Sequence, residues 1–189
     1  MAQAPLQLVA TPLSGAFVIR PPVFHDARGA FVKTYHTESF RAAGLPFTPR
    51  EEFFSVSRRN VVRGLHFQTP PHAVDKLVYC PLGAVLDVIV DLRRASPTYG
   101  QTYSRELSAA NREMLFVPIG FAHGFLALAD DSMMVYQCSE VHAPAHDAGI
   151  LWNSIPFAWP VAAPILSPRD LAFPALHDYA SPFEVGAGL

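Results

Sequence analysis

The sequence predicts an all-β fold of the jelly-roll type, because short apolar segments of strand length follow one another between turn signals. Between residues 53 and 138 these segments are rich in β-branched and aromatic residues, which favour strands. The chain also holds 18 prolines and 14 phenylalanines among its 189 residues. Proline ends helices, so this composition fits short strands with tight connections better than long helices.

The predicted strands are closely spaced, and turn signals such as those at 81–83 and 96–100 separate them. The strands cover residues 53–58, 62–68, 76–80, 84–92, 102–107, 113–117, 124–129 and 133–138. In the preceding segment, the pattern of residues 6–20 predicts one or two strands that are interrupted at 12–15, and a turn is predicted at 26–29. A short helix is predicted at 37–43, capped by Thr37 or Ser39 and stopped by Gly44.

Length and composition predict one domain over residues 1–189, with a proline-rich tail wrapping the barrel from about residue 150. The net charge of −2 and the lack of a basic stripe argue against nucleic acid as a partner. No run reaches about 18 apolar residues, and the first cation is Arg20, so neither a membrane span nor a signal peptide is expected. Cys80 and Cys138 form no metal or disulfide motif, which favours buried thiols and a cytoplasmic location.

One stretch, residues 61–80, combines strand-forming residues with groups that carry chemistry. Arg63, His66 and Lys76 interrupt an otherwise apolar run, and a strand that only packs has little use for them. An imidazole and an ammonium suit proton abstraction next to a carbonyl, since one takes the proton and the other holds the developing oxyanion. We therefore interpret this stretch as part of an active site rather than as a solvated surface strand.

A glycine in this stretch predicts a local irregularity. Side chains alternate along a strand, so Arg63 and His66 would face opposite ways in regular geometry. Gly64 lies between them, and a glycine inside a strand often marks a β-bulge. We predict a bulge at Gly64 that turns Arg63 and His66 to the same cavity.

Several motifs occur in the order that one family has them. They are DARGAF at 26–31, RGLHFQ at 63–68, KLVYCPLGAVLDVIVDLRRASPTYG at 76–100, VPIGFAHGF at 117–125, ILWN at 150–153 and LSPRD at 166–170. From about residue 17 to 175 the chain resembles the dTDP-4-dehydrorhamnose 3,5-epimerase family of the cupin superfamily. The resemblance implies a cupin-type jelly-roll homodimer that needs no cofactor and no metal. Its substrate would be a nucleotide-activated 4-keto-6-deoxyhexose, epimerised at the carbons beside the C4 ketone.

The resemblance assigns four catalytic positions. His66 matches the general base, Asp170 the carboxylate that pairs with it, Tyr136 the acid on the opposite face and Lys76 the group near the C4 oxygen. The roles agree with the chemistry, because a carboxylate on the far imidazole nitrogen fixes the tautomer and stabilises the cation. Inversion also requires two groups on opposite sides of the carbon.

The resemblance assigns substrate-binding positions as well. These are Arg28, Phe31, Lys33, Glu51, Phe53, Arg63, Gln68, His123, His142, Asp147 and Arg169. A guanidinium such as that of Arg63 is the expected ligand of a diphosphate. Arg28 and Phe31 match a segment that reaches into the neighbouring subunit's site, which implies a dimer.

This chain departs from the family pattern mainly at the nucleoside end. Lys33 replaces a glutamate, Glu51 to Phe53 replace Gln-Asp-Asn, His142 replaces a tyrosine that stacks on thymine, Asp147 replaces a glutamate and Arg169 replaces a lysine. The proton-transfer residues are intact. The pattern therefore indicates the reaction type more firmly than the nucleotide, and a GDP, CDP or UDP sugar stays open.

Three alternatives remain at this point. A mono-epimerase or a ketoisomerase would keep the same base and acid. A metal-dependent cupin would need an HxH motif, but Phe67 and Gln68 follow His66. A jelly roll that only binds a sugar nucleotide would have no need of an acid and a base.

Overall fold

The computed structural model describes residues 6–185 and consists mainly of antiparallel strands. In chain order the strands are β1 (Gln7–Ala10), β2 (Phe17–Arg20), β3 (Val23–Asp26), β4 (Gly29–Val32), β5 (Glu51–Ser57), β6 (Val62–Gln68), β7 (Lys76–Leu82), β8 (Ala84–Asp91), β9 (Thr102–Ser108), β10 (Met114–Val117), β11 (Phe121–Ala127), β12 (Ser132–Cys138) and β13 (Asp147–Gly149). The α-helices are α1 (Thr37–Ala42) and α2 (Pro168–Leu171), and 3-10 turns lie at Pro144–His146 and Leu176–Asp178.

Two sheets pack face to face. One has the strand order β1-β2-β10-β7-β12-β5 and the other the order β13-β6-β11-β8-β9, while β3 and β4 form a separate hairpin. Non-consecutive strands are neighbours in both sheets, as in a jelly roll. The predicted all-β jelly roll with short peripheral helices is confirmed. No helix among the described residues is long and apolar enough to span a membrane.

The core between the sheets follows from the alternation of side chains along each strand. Its buried members come from both inner faces and include Val18, Val78, Val85, Ile89, Leu107, Leu115, Phe125 and Met134. Fully burying a side chain of this size stabilises the fold by about 1.5–3 kcal/mol. The core therefore holds the two sheets at a fixed spacing, and the cavity described below opens within it.

The C-terminal segment packs on the outer face of the five-stranded sheet. Val88 and Val90 of β8, with Leu92 just after the strand, point to this outer face, and Ile155 and Phe183 of the C-terminal segment pack against them. This explains why the face of β8 that bears Val88 and Val90 is apolar although it points away from the core between the sheets. The C-terminal segment thus buries one face of the sheet that carries His66.

Helix α1 covers the other sheet, where Phe40 packs against Leu77, Met114 and neighbouring residues. Its predicted cap was wrong, since His36 and not Thr37 or Ser39 is the N-cap. The backbone of His36 is extended, and its Nδ1 accepts the Ser39 N–H at 3.3 Å. The imidazole caps the N-terminus of the helix, a role that a serine or aspartate side chain usually has.

Two strand predictions also differ from the structure. Strand β11 begins at Phe121, not at residue 124, because Phe121, Ala122 and His123 also pair with β8, up to Asp91. Strand β13 has no signal in the sequence, since it has three residues and exists only through its pairing with β6. Both differences come from tertiary pairing that local propensity does not encode.

The predicted β-bulge is present. His123 pairs with His66, but the next pairing is Phe125 with Arg63, so Gly64 and Leu65 together face Gly124. Arg63 and His66 consequently line the same cavity. Gly64 has a φ of +134°, and the backbones of β6 and β11 approach closely at this point.

We expect Gly64→Ala to destabilise the protein far more than another glycine replacement at positive φ. A Cβ on Gly64 would lie 2.6 Å from the Gly124 Cα, whereas a Cβ on Gly44 (φ +81°) would meet nothing within 4 Å. Gly64→Ala should lower the free energy of unfolding by about 3 kcal/mol or more. The control Gly44→Ala should lower it by about 1 kcal/mol. Urea unfolding of both variants measures this, and equal losses would contradict the close-approach argument.

Candidate active site

A cavity of about 430 Å³ opens between the two sheets. Most of the predicted site residues line it: Glu51, Phe53, Arg63, His66, Gln68, Lys76, His123, Tyr136, His142, Asp147 and Arg169. They come from positions spread over more than a hundred residues of sequence. The fold therefore brings the residues singled out from sequence to one place, and Asp170 joins them through a hydrogen bond to His66.

The pair formed by His66 and Asp170 is held by two separate elements. His66 lies on β6, and its Nε2 is 2.8 Å from Asp170 Oδ1. Asp170 is buried on α2, a helix that starts at the N-cap Ser167, whose hydroxyl oxygen accepts the Asp170 N–H. The second carboxylate oxygen of Asp170 accepts the N–H of Gly64 at 3.2 Å. The bulge on β6 thus helps to hold the carboxylate that orients the imidazole.

The electrostatics of this pair favour a neutral imidazole beside a charged carboxylate. Burial lowers the pKa of His66, and Asp170 only partly opposes that effect. Burial alone would raise the pKa of Asp170, but its bonds with His66, Gly64 and Ser167 outweigh burial and lower that pKa. Because Nε2 is bonded to Asp170, Nδ1 is the nitrogen left to accept a proton from a substrate.

Lys76 lies on β7, in the other sheet from His66. Its Nζ donates a hydrogen bond to the His66 carbonyl oxygen at 3.0 Å, which ties the two walls of the cavity together. Burial lowers the pKa of Lys76 because the charged form is poorly solvated there. A cation in such surroundings interacts strongly with negative charge that develops on a nearby oxygen.

Tyr136 also stands in the wall opposite His66, since β12 belongs to the six-stranded sheet. Its ring stacks on Phe53 at a centroid distance of 4.8 Å, and the ring of His123 meets it edge-on at 5.9 Å. Burial raises the pKa of Tyr136, so the phenol keeps its proton at neutral pH. A protonated phenol between two rings can act as a proton donor in a fixed position.

Asp87 is a residue of this region that sequence reasoning missed. Its Oδ2 lies 2.8 Å from His123 Nε2, and both side chains are buried. Within residues 6–185, its other oxygen has no hydrogen-bond partner. A signal did exist, because an aspartate in the middle of the apolar strand β8 needs a buried partner. Only the register of β8 against β11 shows that the partner is His123.

Two arginines flank the cavity. Arg63 donates from Nε to the Ser57 hydroxyl at 3.0 Å and from Nη2 to a β5 carbonyl. Arg169 pairs with Asp147 at 2.6 Å, and its guanidinium lies 5.3 Å from the centre of the Phe173 ring. Arg63 is bonded to neutral groups and Arg169 to one carboxylate. Each guanidinium therefore keeps N–H donors for an anionic ligand.

A loop that follows β12 forms part of the cavity wall. Gln68 holds this loop, because its Oε1 accepts the Ala143 N–H at 2.6 Å and its Nε2 donates to the Val141 carbonyl. Glu51 Oε2 accepts the N–H of His142 at 2.8 Å. Two of the residues that depart from the family pattern, Glu51 and His142, therefore contact each other here.

Three predicted binding residues lie outside this cavity. Arg28 and Phe31 sit on the hairpin of β3 and β4, and Lys33 follows it. Arg28 is exposed and pairs with Asp26, and Phe31 is 62% exposed. Within the described residues, none of the three lines the cavity of this chain.

The cavity wall also contains Ser55 and Cys138, which sequence reasoning did not select. In the described part of the chain, no three histidine, cysteine or carboxylate side chains converge to hold a metal ion. What the walls present is an imidazole base on one sheet and a phenol with a lysine on the other. Such a pair can remove a proton from one face of a carbon and return one to the other face.

Comparison with known proteins agrees with this chemistry. The family model described as dTDP-4-dehydrorhamnose 3,5-epimerase matches residues 10–178. The dTDP-4-dehydrorhamnose 3,5-epimerase of Salmonella typhimurium is 39% identical over 173 residues, which cover 89% of this chain and 94% of the relative.

Two solved structures of similar proteins bear the names of different epimerases. The dTDP-4-dehydrorhamnose 3,5-epimerase of Bacillus anthracis, with TDP and pyrophosphate bound, superposes with a TM-score of 0.87 at 38% identity, covering 89% of this chain and 98% of the other. A 3′-monoepimerase from Streptomyces bikiniensis in complex with dTDP-quinovose gives a TM-score of 0.83 at 34% identity, with 88% and 86% covered.

The family match spans nearly all of the described fold, and the relatives share its architecture over most of their length. The protein belongs to the dTDP-4-dehydrorhamnose 3,5-epimerase family.

Proposed function

We propose that the protein is an epimerase of a nucleotide-activated 4-keto-6-deoxyhexose that inverts C3, C5 or both. One observation carries this proposal: His66 stands on the five-stranded sheet, whereas Tyr136 and Lys76 stand on the six-stranded sheet across the cavity. A hydrogen on a carbon next to a ketone is acidic, and inversion needs a base and an acid on opposite faces of that carbon. The relatives named above support the substrate class.

The proposed reaction has two proton transfers. Nδ1 of His66 takes the hydrogen from the carbon, and the electron pair of the C–H bond moves into an enolate whose charge rests on the C4 oxygen. Lys76 stabilises that oxygen, and Asp170 stabilises the imidazolium. Tyr136 then gives its proton to the opposite face of the carbon. His66 loses a proton to water and Tyr136 regains one, so the sum is inversion without a change in composition.

We infer that the rest of the nucleotide sugar lies along the remaining cavity wall. Arg63, Arg169 and His123 are placed to bind the diphosphate and the sugar, in agreement with the usual preference of guanidiniums for phosphate. Gln68 and Asp147 support this wall. Glu51, Phe53 and His142 would face the base, and their chemistry differs from the family pattern. The base therefore remains to be identified among thymine, guanine, cytosine and uracil.

We also infer a homodimer. The outer face at β5 and β7 exposes Phe54, Val56 and Leu82, and the hairpin exposes Phe31, which together form apolar surface of the kind found in interfaces. A hairpin that carries Arg28, Phe31 and Lys33 toward a partner's cavity would complete each site with residues from the other subunit.

We infer a reducing, cytoplasmic location from the two cysteines. Cys80 and Cys138 are buried and form no disulfide with each other. Burial raises the pKa of each thiol to about 11, so both stay protonated and poorly reactive.

Proton NMR in deuterated water tests the proposed function. The purified protein is mixed in turn with the dTDP, GDP, CDP and UDP forms of a 4-keto-6-deoxyhexose. We expect deuterium at C3, C5 or both in one of them, because the proton that returns comes from solvent. Deuterium at one carbon would identify a mono-epimerase, and movement of the ketone an isomerase. Binding without exchange in any form would contradict the proposal.

We expect His66→Ala to reduce deuterium exchange by about 10²–10⁴-fold, the usual contribution of a general base. Nucleotide binding, measured by calorimetry with the nucleoside diphosphate that the active sugar carries, should change little. His177→Ala is a matched control, since His177 also pairs with an aspartate but is exposed in the C-terminal segment. Exchange that survives in His66→Ala would remove His66 from the role of base.

If the hairpin contributes to the site of the neighbouring subunit, we expect a mixture of two inactive variants to regain activity. Arg28→Ala removes a hairpin contact, and His66→Ala removes the base. In a mixed dimer, one site would combine an intact His66 with an intact hairpin and regain activity, whereas the other site would lack both. The activity of the remixed subunits, with their size measured by ultracentrifugation, gives the result. A monomer, or a mixture without recovery, would contradict this arrangement.

A further inference from the structure

Ser55 occupies a position beside the proposed acid that no role has yet explained. Strands β5 and β12 pair so that Phe53 faces Tyr136 and Ser55 faces Met134. Met134 is fully buried in the core between the sheets, so this face of both strands points inward. Ser55 is therefore a diagonal neighbour of Tyr136 on the inner face, and residues in this relation are within reach of an aromatic side chain.

The hydroxyl of Ser55 is buried and has no partner at full hydrogen-bond geometry within residues 6–185. Ser57 and Ser132 differ in this respect, because Ser57 Oγ accepts from Arg63 and Ser132 Oγ donates to backbone carbonyls. Ser55 lines the cavity, so its hydroxyl can donate a hydrogen bond to a negative charge that forms there. A buried hydroxyl without a partner in the resting protein calls for an explanation.

The proposed reaction creates a group that needs such a donor. When Tyr136 gives up its proton, a phenolate is left in surroundings where burial disfavours it. The ring of Phe53 on one side offers no donor, and His123 Nε2 is already bonded to Asp87. Burial raises the pKa of Tyr136, and a hydrogen-bonding contact from the Ser55 hydroxyl, which falls short of full geometry in the resting protein, partly opposes that effect.

We propose that Ser55 is a positioning residue that donates a hydrogen bond to the Tyr136 phenolate formed when the phenol protonates the inverted carbon. The inference rests on the proposed function, in which Tyr136 is the acid. In this step the O–H bond of Tyr136 breaks, and its proton forms a C–H bond with the electron pair of the enolate. Ser55 keeps its own proton, and water later restores that of Tyr136.

The test separates exchange from inversion in deuterated water. Exchange on the His66 side needs only the base, whereas inversion also needs the phenol. We expect Ser55→Ala to slow inversion about tenfold or more, as for loss of a hydrogen bond to a charged group, while exchange changes little. Ser55→Thr keeps the hydroxyl and should restore inversion. Ser104→Ala, on a strand away from the cavity, is the matched control.

A double-mutant cycle with Tyr136→Phe decides whether Ser55 acts through the phenol. Tyr136→Phe should lose inversion and keep exchange, and adding Ser55→Ala should then change nothing further. If Tyr136→Phe retains inversion, the proposed role of the phenol fails. If Tyr136→Phe loses inversion but Ser55→Ala does not, only the role of Ser55 fails. Equal loss of exchange and inversion in Ser55→Ala would also overturn the proposed role of Ser55. That pattern would indicate that Ser55 supports substrate binding or the fold.

Discussion

The hydrogen bond between His66 and Asp170 is the contact on which the rest of the site depends. It joins residues 104 positions apart, one on a central strand and one on a short helix of the C-terminal segment. Asp170 also binds the Gly64 N–H, so the same carboxylate holds the imidazole and the β-bulge beneath it. Removing one partner of a buried charged pair leaves the other without compensation, typically at several kcal/mol. The packing of the C-terminal segment on the five-stranded sheet therefore helps to hold His66 and Asp170 together.

The face-to-face packing of the two sheets is the second constraint on the site. Two sheets with a close-packed core between them keep their inner faces at a nearly constant spacing, and both faces can carry polar groups where the core opens. In the proposed mechanism this spacing sets the distance between base and acid. Lys76, which reaches from one sheet to the His66 carbonyl of the other, further restrains it. The proposed proton transfer on two faces of one carbon thus relies on the spacing of the sheets and on very few specialised residues.

The sequence was a good guide to residues whose chemistry conflicts with their surroundings. His66 and Lys76 stand out in an apolar run, and Gly64 between Arg63 and His66 predicts the bulge that the register shows. It was a poor guide where a role comes from a neighbour. Nothing local pairs Asp87 with His123 or sets Ser55 beside Tyr136, because both relations depend on strand register. His36 as a helix cap was missed for a similar reason, since its role depends on backbone conformation.

Taken by itself, the sequence determined the class of fold and the family, and it predicted the proton-transfer residues, because alternation, turn chemistry and motif order are local properties of the chain. Only the tertiary structure decided which sheet each residue joins, and hence that His66 faces Tyr136 across the cavity. It also decided that the hairpin bearing Arg28 and Phe31 stays away from the cavity of its own chain. Such relations are set by the pairing of strands distant in sequence, where each register is chosen by the burial of whole faces rather than by any one residue.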